Sequence, residues 1–150
     1  SDVCSSDLTR PAEANAENQF AALTALTGEM KAGAVDLLLI LGGNPVYSAP
    51  SDLDFAKALE KVALRVHHGL YQNETTRLSH WHIPEAHFLE TWSDTRAHDG
   101  TVSIIQPLIA PLYQGKSSHE VLTAFSDRTE RTSYDIVREF WAKESKRGRS

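Results

Sequence analysis

The sequence predicts an α/β domain with a doubly wound, mostly parallel sheet and helices on both faces, forming part of a larger subunit. Three observations predict it. A continuous apolar run, Leu37–Leu41, ends abruptly in Gly42-Gly43-Asn44-Pro45, the pattern of a strand buried on both faces. Helical and extended periodicities alternate from Phe20 to Pro84, the rhythm of parallel strands joined by helices. The chain has 150 residues, 41% hydrophobic and 23% charged, which suits one ordinary globular domain.

The elements follow in order. Phe20, Leu23, Leu26 or Thr27, and Met30 recur at helical spacing, so residues 15–32 read as a helix stopped by Gly33. Residues 35–41 form the first strand, and the glycines and Pro45 break it. Ser51 or Asp52 caps a helix over residues 51–61 with Leu53, Phe55, Ala56 and Leu59 as its stripe. Residues 62–67 read as a second strand and residues 69–77 as a loop with one helical turn at 73–77. A third strand covers 79–84, residues 85–100 are irregular, and 101–105 form a fourth strand. Two prolines make 106–115 an extended connection. Helices follow at 117–125, capped by Ser117 or Ser118 with Glu120 in the first turn, and at 133–143.

Net charge is −5 with His neutral, which gives no electrostatic case for nucleic acid. The single cysteine, Cys4, excludes an internal disulfide, a CxxC pair or a complete iron–sulfur ligand set. No apolar stretch has the length of a membrane span, and no signal peptide is visible. Residues 1–8 resemble the conceptual translation of a sequencing adapter, and the chain stops in a charged run. The expectation is a domain over residues 9–150, truncated at both ends.

Two constellations carry candidate chemistry. The Gly42-Gly43-Asn44 turn lies at the carboxyl end of a strand, where open α/β sheets bind ligands. Its backbone N–H groups suit phosphate oxygens. The spacing is neither G-x-G-x-x-G nor a Walker motif, so a structural turn and a nucleotide contact both remain open. His80, His82 and His87 form the second. On a strand, His80 and His82 share a side, and a third imidazole would complete a zinc site. The alternative is a Trp81-anchored segment bonded to neighbouring loops. His67 and His68 end a strand, with one of them facing outward. Asp94, Arg96, His98 and Asp99 read as a salt-bridged, solvated turn.

The order of motifs resembles the molybdopterin oxidoreductases. Leu37–Leu41 leads to Asn44-Pro45, then come Asn73-Glu74-Thr75, Pro84, Leu89-Glu90, Gly100-Thr101 and Gln106. The wording of His80-Trp81-His82-Ile83-Pro84-Glu85-Ala86-His87, and of residues 99–113, is similar to the iron–sulfur large subunit of bacterial alternative complex III, a quinol-oxidising respiratory assembly. The resemblance spans residues 15–141. It implies a doubly wound α/β fold, and a nucleotide-contacting set at Gly42, Gly43, Asn44, Glu74 and Thr75 in members that bind molybdopterin guanine dinucleotide. The His-Trp-His sequence departs from the plain apolar strand of those catalysts and favours the branch without molybdenum.

The resemblance therefore implies a scaffold domain of an electron-transfer subunit, without a redox centre of its own and not active alone. The parent subunit would carry iron–sulfur clusters. Partners would be other regions of that subunit and other subunits of a membrane-bound complex on the periplasmic side of the inner membrane. The alternatives are the nucleotide-binding domain of a polysulfide- or thiosulfate-reductase-like molybdenum enzyme, and a zinc-binding, hydrolase-like module.

Overall fold

The computed structural model describes residues 18–97 and 99–147. The adapter-like residues 1–8, with Cys4, and His98 lie outside the described residues. Helix α1, Gln19–Ala32, begins at Asn18, whose Oδ1 accepts the N–H of Phe20 at 2.9 Å and of Ala21 at 3.2 Å. It ends at Gly33, whose φ of 73° lets its N–H close back on the last turn. Thr27 and Met30 are buried on one side, and Leu23 and Leu26 pack beside the core.

Strand β1, Leu37–Leu41, is followed by a short helix α2, Pro45–Ser48, with the proline in its first turn. The helix expected over 51–61 is interrupted. A 3-10 turn covers Ser51–Leu53, Asp54 takes a left-handed φ of 50°, and α3 runs only Phe55–Leu59. The break keeps the apolar stripe in register, since Leu53, Phe55, Ala58 and Leu59 are all buried. Strand β2, Leu64–Gly69, the single-turn helix α4, Glu74–Arg77, and strand β3, Trp81–Pro84, complete this unit.

The three strands form one parallel sheet in the order β1-β2-β3. The register sets two faces, because side chains alternate along each strand. An inner face carries Leu38, Ile40, Arg65, His67 and His82. An outer face carries Leu37, Leu39, Leu41, Leu64, Val66, His68, Trp81 and Ile83. Helices α1 and α3 cover the inner face, where Met30, Phe55, Ala58, Leu59 and Val62 form the core with Leu38 and Ile40 packed against it. Arg65 ties down the chain where α3 ends by donating to the carbonyls of Leu59, Glu60 and Val62.

The second half is arranged differently from the sequence expectation. Strand β4, Ser93–Arg96, arises within the stretch read as irregular. It pairs antiparallel with β5, Val102–Ile105, in a separate two-stranded sheet, so the fourth strand does not extend the parallel one. Asp94 does not join a salt-bridged turn but accepts the Trp141 indole N–H at 2.6 Å from α6, Ser133–Arg147. The chain returns to β3 at Lys116, whose N–H donates to Pro84 O and whose carbonyl accepts from Ala86 N, both at 2.9 Å. Gly115 permits this approach, for a Cβ there would stand 2.9 Å from Ala86 N. Helix α5, Ser118–Thr123, starts in a reciprocal capping box between Ser117 and Glu120. It stands off the outer face across a cavity of about 520 Å³.

Candidate functional site

Parallel pairing puts the ends of β1, β2 and β3 at one edge of the sheet. All five candidate residues meet there. Gly42 and Gly43 both have positive φ, 68° and 69°, a region L side chains enter at a cost of about 1–2 kcal/mol. That conformation turns the Gly43 carbonyl toward β2 and α4. It accepts from His67 Nε2 and from Asn73 Nδ2, each at 3.2 Å. Gly42 N–H donates to His68 O at 2.7 Å.

Asn44 precedes α2, but its side chain does not cap that helix. It crosses to α4 instead. Its Nδ2 donates to Glu74 Oε2 at 2.6 Å, and its Oδ1 accepts from Thr75 N at 3.2 Å and Thr75 Oγ1 at 2.8 Å. Thr75, fully buried, accepts Val46 N–H at 3.1 Å. Asn73 reciprocates, capping α4 through Thr76 N at 3.1 Å while donating to Gly43 O. Two asparagines 29 positions apart (44 and 73) thus stitch the turn to α4. The amide donated by Asn44 holds the Glu74 carboxyl below its ordinary range, so the carboxylate stays ionised at neutral pH.

Behind this layer lies a chain of hydrogen bonds that sequence reasoning did not place. The Gly43 carbonyl only accepts, so His67 carries its proton on Nε2. Neutral His67 then accepts the Thr76 hydroxyl at Nδ1, 2.7 Å away. Thr76 Oγ1 in turn accepts from His82 Nδ1 at 3.3 Å. The two rings lie 5.6 Å apart, as expected for direct register partners. Burial lowers the pKa of both, with His82 and His68 adding to the effect at His67 and His68 at His82, while the bond to Gly43 O opposes it at His67.

Several expectations change here. His67 and His68 alternate as expected, with His68 on the outer face, but both are fully buried, one on each side of the sheet. His68 donates Nε2–H to Lys116 O at 2.8 Å, and its Nδ1 is buried without a partner. The zinc reading fails because the three histidines do not converge on one point, each making a separate contact. His80 Nδ1 accepts from Arg65 N at 3.1 Å, His82 engages Thr76, and His87 Nδ1 accepts from Leu89 N at 3.3 Å. Among the described residues, no group of three or more His, Cys, Asp or Glu converges. Asn73 and Thr76 were not singled out, His82 was read as a possible zinc ligand, and His67 was read only as the end of a strand. The signal available was the paired His67-His68 at the end of a strand expected to be buried on both faces.

The arrangement leaves two groups for a ligand. The N–H groups of Gly43 and Asn44 meet no acceptor among the described residues. Tyr47 and Tyr71 flank this edge in sequence and are 78% and 77% exposed. The side chains of Asn44 and Thr75 are spent on each other, and Glu74 places negative charge beside the turn.

No family model matches the chain. It is similar to the NADPH-Fe(3+) oxidoreductase subunit alpha of Geobacter sulfurreducens, found in two strains, with 28% identity over 96 residues. The match covers 64% of this chain and 11% of that subunit. Acetylene hydratase from Pelobacter acetylenicus shares the fold, with a TM-score of 0.62 and 20% identity over 71% of this chain and 15% of the other. The chain thus spans a small part of the length of the proteins it matches. It is α/β, with the architecture of one region of a larger enzyme.

Proposed function

We propose that the chain is a scaffold domain of an oxidoreductase subunit related to the molybdopterin oxidoreductases and resembling the large subunit of alternative complex III. Its task is to hold the cluster-bearing region of the subunit and to dock neighbouring subunits of a membrane-bound respiratory complex on the periplasmic side. The order of motifs, the similarity to an oxidoreductase subunit and the fold shared with acetylene hydratase support the family. One observation carries the scaffold role. At the turn, Asn44 bonds to both Glu74 and Thr75, so these side chains are occupied in joining the turn to α4. These residues act as a brace between β1 and α4. Metal and pterin analysis of the purified natural subunit tests the reading. Iron without molybdenum is expected, and about one molybdenum per chain would overturn it.

A second reading, a working nucleotide site, draws on the unpartnered N–H groups of Gly43 and Asn44. It requires that guanine dinucleotide co-purify with the subunit.

A further inference from the structure

We propose that Thr76 joins His82 and His67 into a single protonation site, entered from solvent at His82, that holds one proton beneath the Gly42-Gly43-Asn44 turn. The site is complete within this chain and needs no cofactor. Three atoms set its geometry. Thr76 Oγ1 lies 2.7 Å from His67 Nδ1 and 3.3 Å from His82 Nδ1. One hydroxyl thus touches both rings, whose centres stand 5.6 Å apart. The two ends differ in their access to water. His67 is fully buried, and its Nε2 is spent on the Gly43 carbonyl. His82 is half-buried, and its Nε2 meets no partner among the described residues.

The polarity of the bonds lets the transfer balance. In the neutral site, His82 Nδ1–H donates to Thr76, Thr76 O–H donates to His67 Nδ1, and His82 Nε2 is bare. A proton from water binds His82 Nε2. The Nδ1–H bond of His82 then breaks as its proton passes to Thr76 Oγ1, and the original Thr76 proton passes to His67 Nδ1. His82 ends neutral, Thr76 ends as a hydroxyl that donates to His82, and His67 ends as an imidazolium. Neither ring has to turn. A second proton is excluded, because it would put two positive rings 5.6 Å apart and two N–H donors on one hydroxyl. The surrounding charges agree. Burial disfavours the charged form of both rings and His68, across the sheet, adds to this, while the Gly43 carbonyl and Glu85 favour charge on His67. On the same inner face, Arg65 is occupied by backbone carbonyls and His80 by the Arg65 N–H. Helix α4 carries Arg77 and Glu74, the latter bonded to Asn44. Helices α1 and α3 bring apolar side chains to the core.

The test follows histidine C2–H exchange by mass spectrometry in the full-length natural subunit, from about pH 4 to 8. The exchange rate of each imidazole reports its own protonation. His67 and His82 should titrate with one common midpoint, because both report the same proton. Distinct midpoints in the unmodified protein, or a His67 that stays neutral throughout, would overturn the proposal, and this measurement needs no variant. Thr76→Val removes the linking hydroxyl at nearly constant shape. The two midpoints should then separate by about one pH unit or more, and Thr76→Ser should bring them back together. A hydroxyl that served only packing would leave the common midpoint in place, so unchanged titration of Thr76→Val would also overturn the proposal. The two readings fail separately: a molybdenum-loaded subunit removes the scaffold reading and leaves the shared proton intact, whereas independent titration of the two histidines removes only the shared proton.

Discussion

The two faces of the parallel sheet are built from alternate residues of the same strands, yet they differ in what covers them. On the inner face, α1 and α3 bring Met30, Ala58 and Leu59 to complete burial against Leu38 and Ile40. On the outer face, Leu37, Leu41, Leu64 and Trp81 keep much of their surface, and α5 approaches only across a cavity. Residue type does not separate the faces, for leucine occupies both. What separates them is whether the connecting segments supply a lid. The crossover between β1 and β2 supplies one on the inner side, and nothing among the described residues fully closes the other.

This contrast can be broken or sharpened by mutation. The largest effect belongs to Leu59→Ala, which opens a void in the covered core and should cost about 2–5 kcal/mol. Leu64→Ala on the outer face should change stability by less than about 0.5 kcal/mol in the isolated chain. Urea unfolding of the two variants compares the faces directly, and similar losses would show that the outer face is closed in solution. Thr75→Val comes next. It leaves Val46 N–H without its acceptor and should cost about 1–3 kcal/mol, read from the shift in the same transition. Gly43→Ala follows at about 1–2 kcal/mol, because its φ of 69° strains any side chain. A loss below the measurement error would mean the turn relaxes.

The smallest effect is one of pH. His67 and His82 have folded pKa values below the ordinary 6.5. Protonation therefore favours the unfolded chain. Their contribution is complete above pH 6.5 and declines as pH falls through 6.5 toward the folded values. The melting temperature should drop between pH 7.5 and 5.5, before most carboxylates titrate. Thr76→Val should alter the imidazole ¹⁵N shifts that report His67 as an Nε2–H tautomer accepting at Nδ1, and Thr76→Ser should restore them. Identical spectra in all three proteins would contradict the hydrogen-bond chain.

Much of the parallel unit was legible because its signals are local. Gly33 stops α1, the glycine pair ends β1, and Asn73 caps a single turn of α4. The convergence of Gly42, Gly43, Asn44, Glu74 and Thr75 came from resemblance, and the hydrogen bonds joining Asn44 to Thr75 place them together. Other features depended on distant partners. The sequence around Asp94 carries no strand signal of its own, and β4 forms because β5 pairs with it and Trp141 reaches it from α6. The break at Asp54 is invisible to periodicity, since the apolar spacing continues across it. His80 and His82 share a side as their spacing requires, but their partners Arg65 and Thr76 are fixed only by the register with β2 and the position of α4.

Adjacent His67 and His68 act as a rivet driven through the sheet. One imidazole head holds the Gly43 carbonyl on one side, and the other holds the Lys116 carbonyl on the opposite side. Two connecting segments 73 positions apart (43 and 116) are therefore clamped to a single point of β2. Loosening either end transmits to the other through one peptide unit. Amide exchange in the two segments should consequently report a shared opening event rather than two independent ones. Shifting β2 by one residue would turn both heads to the wrong side at once, so this dipeptide also sets the thread on which the sheet is assembled.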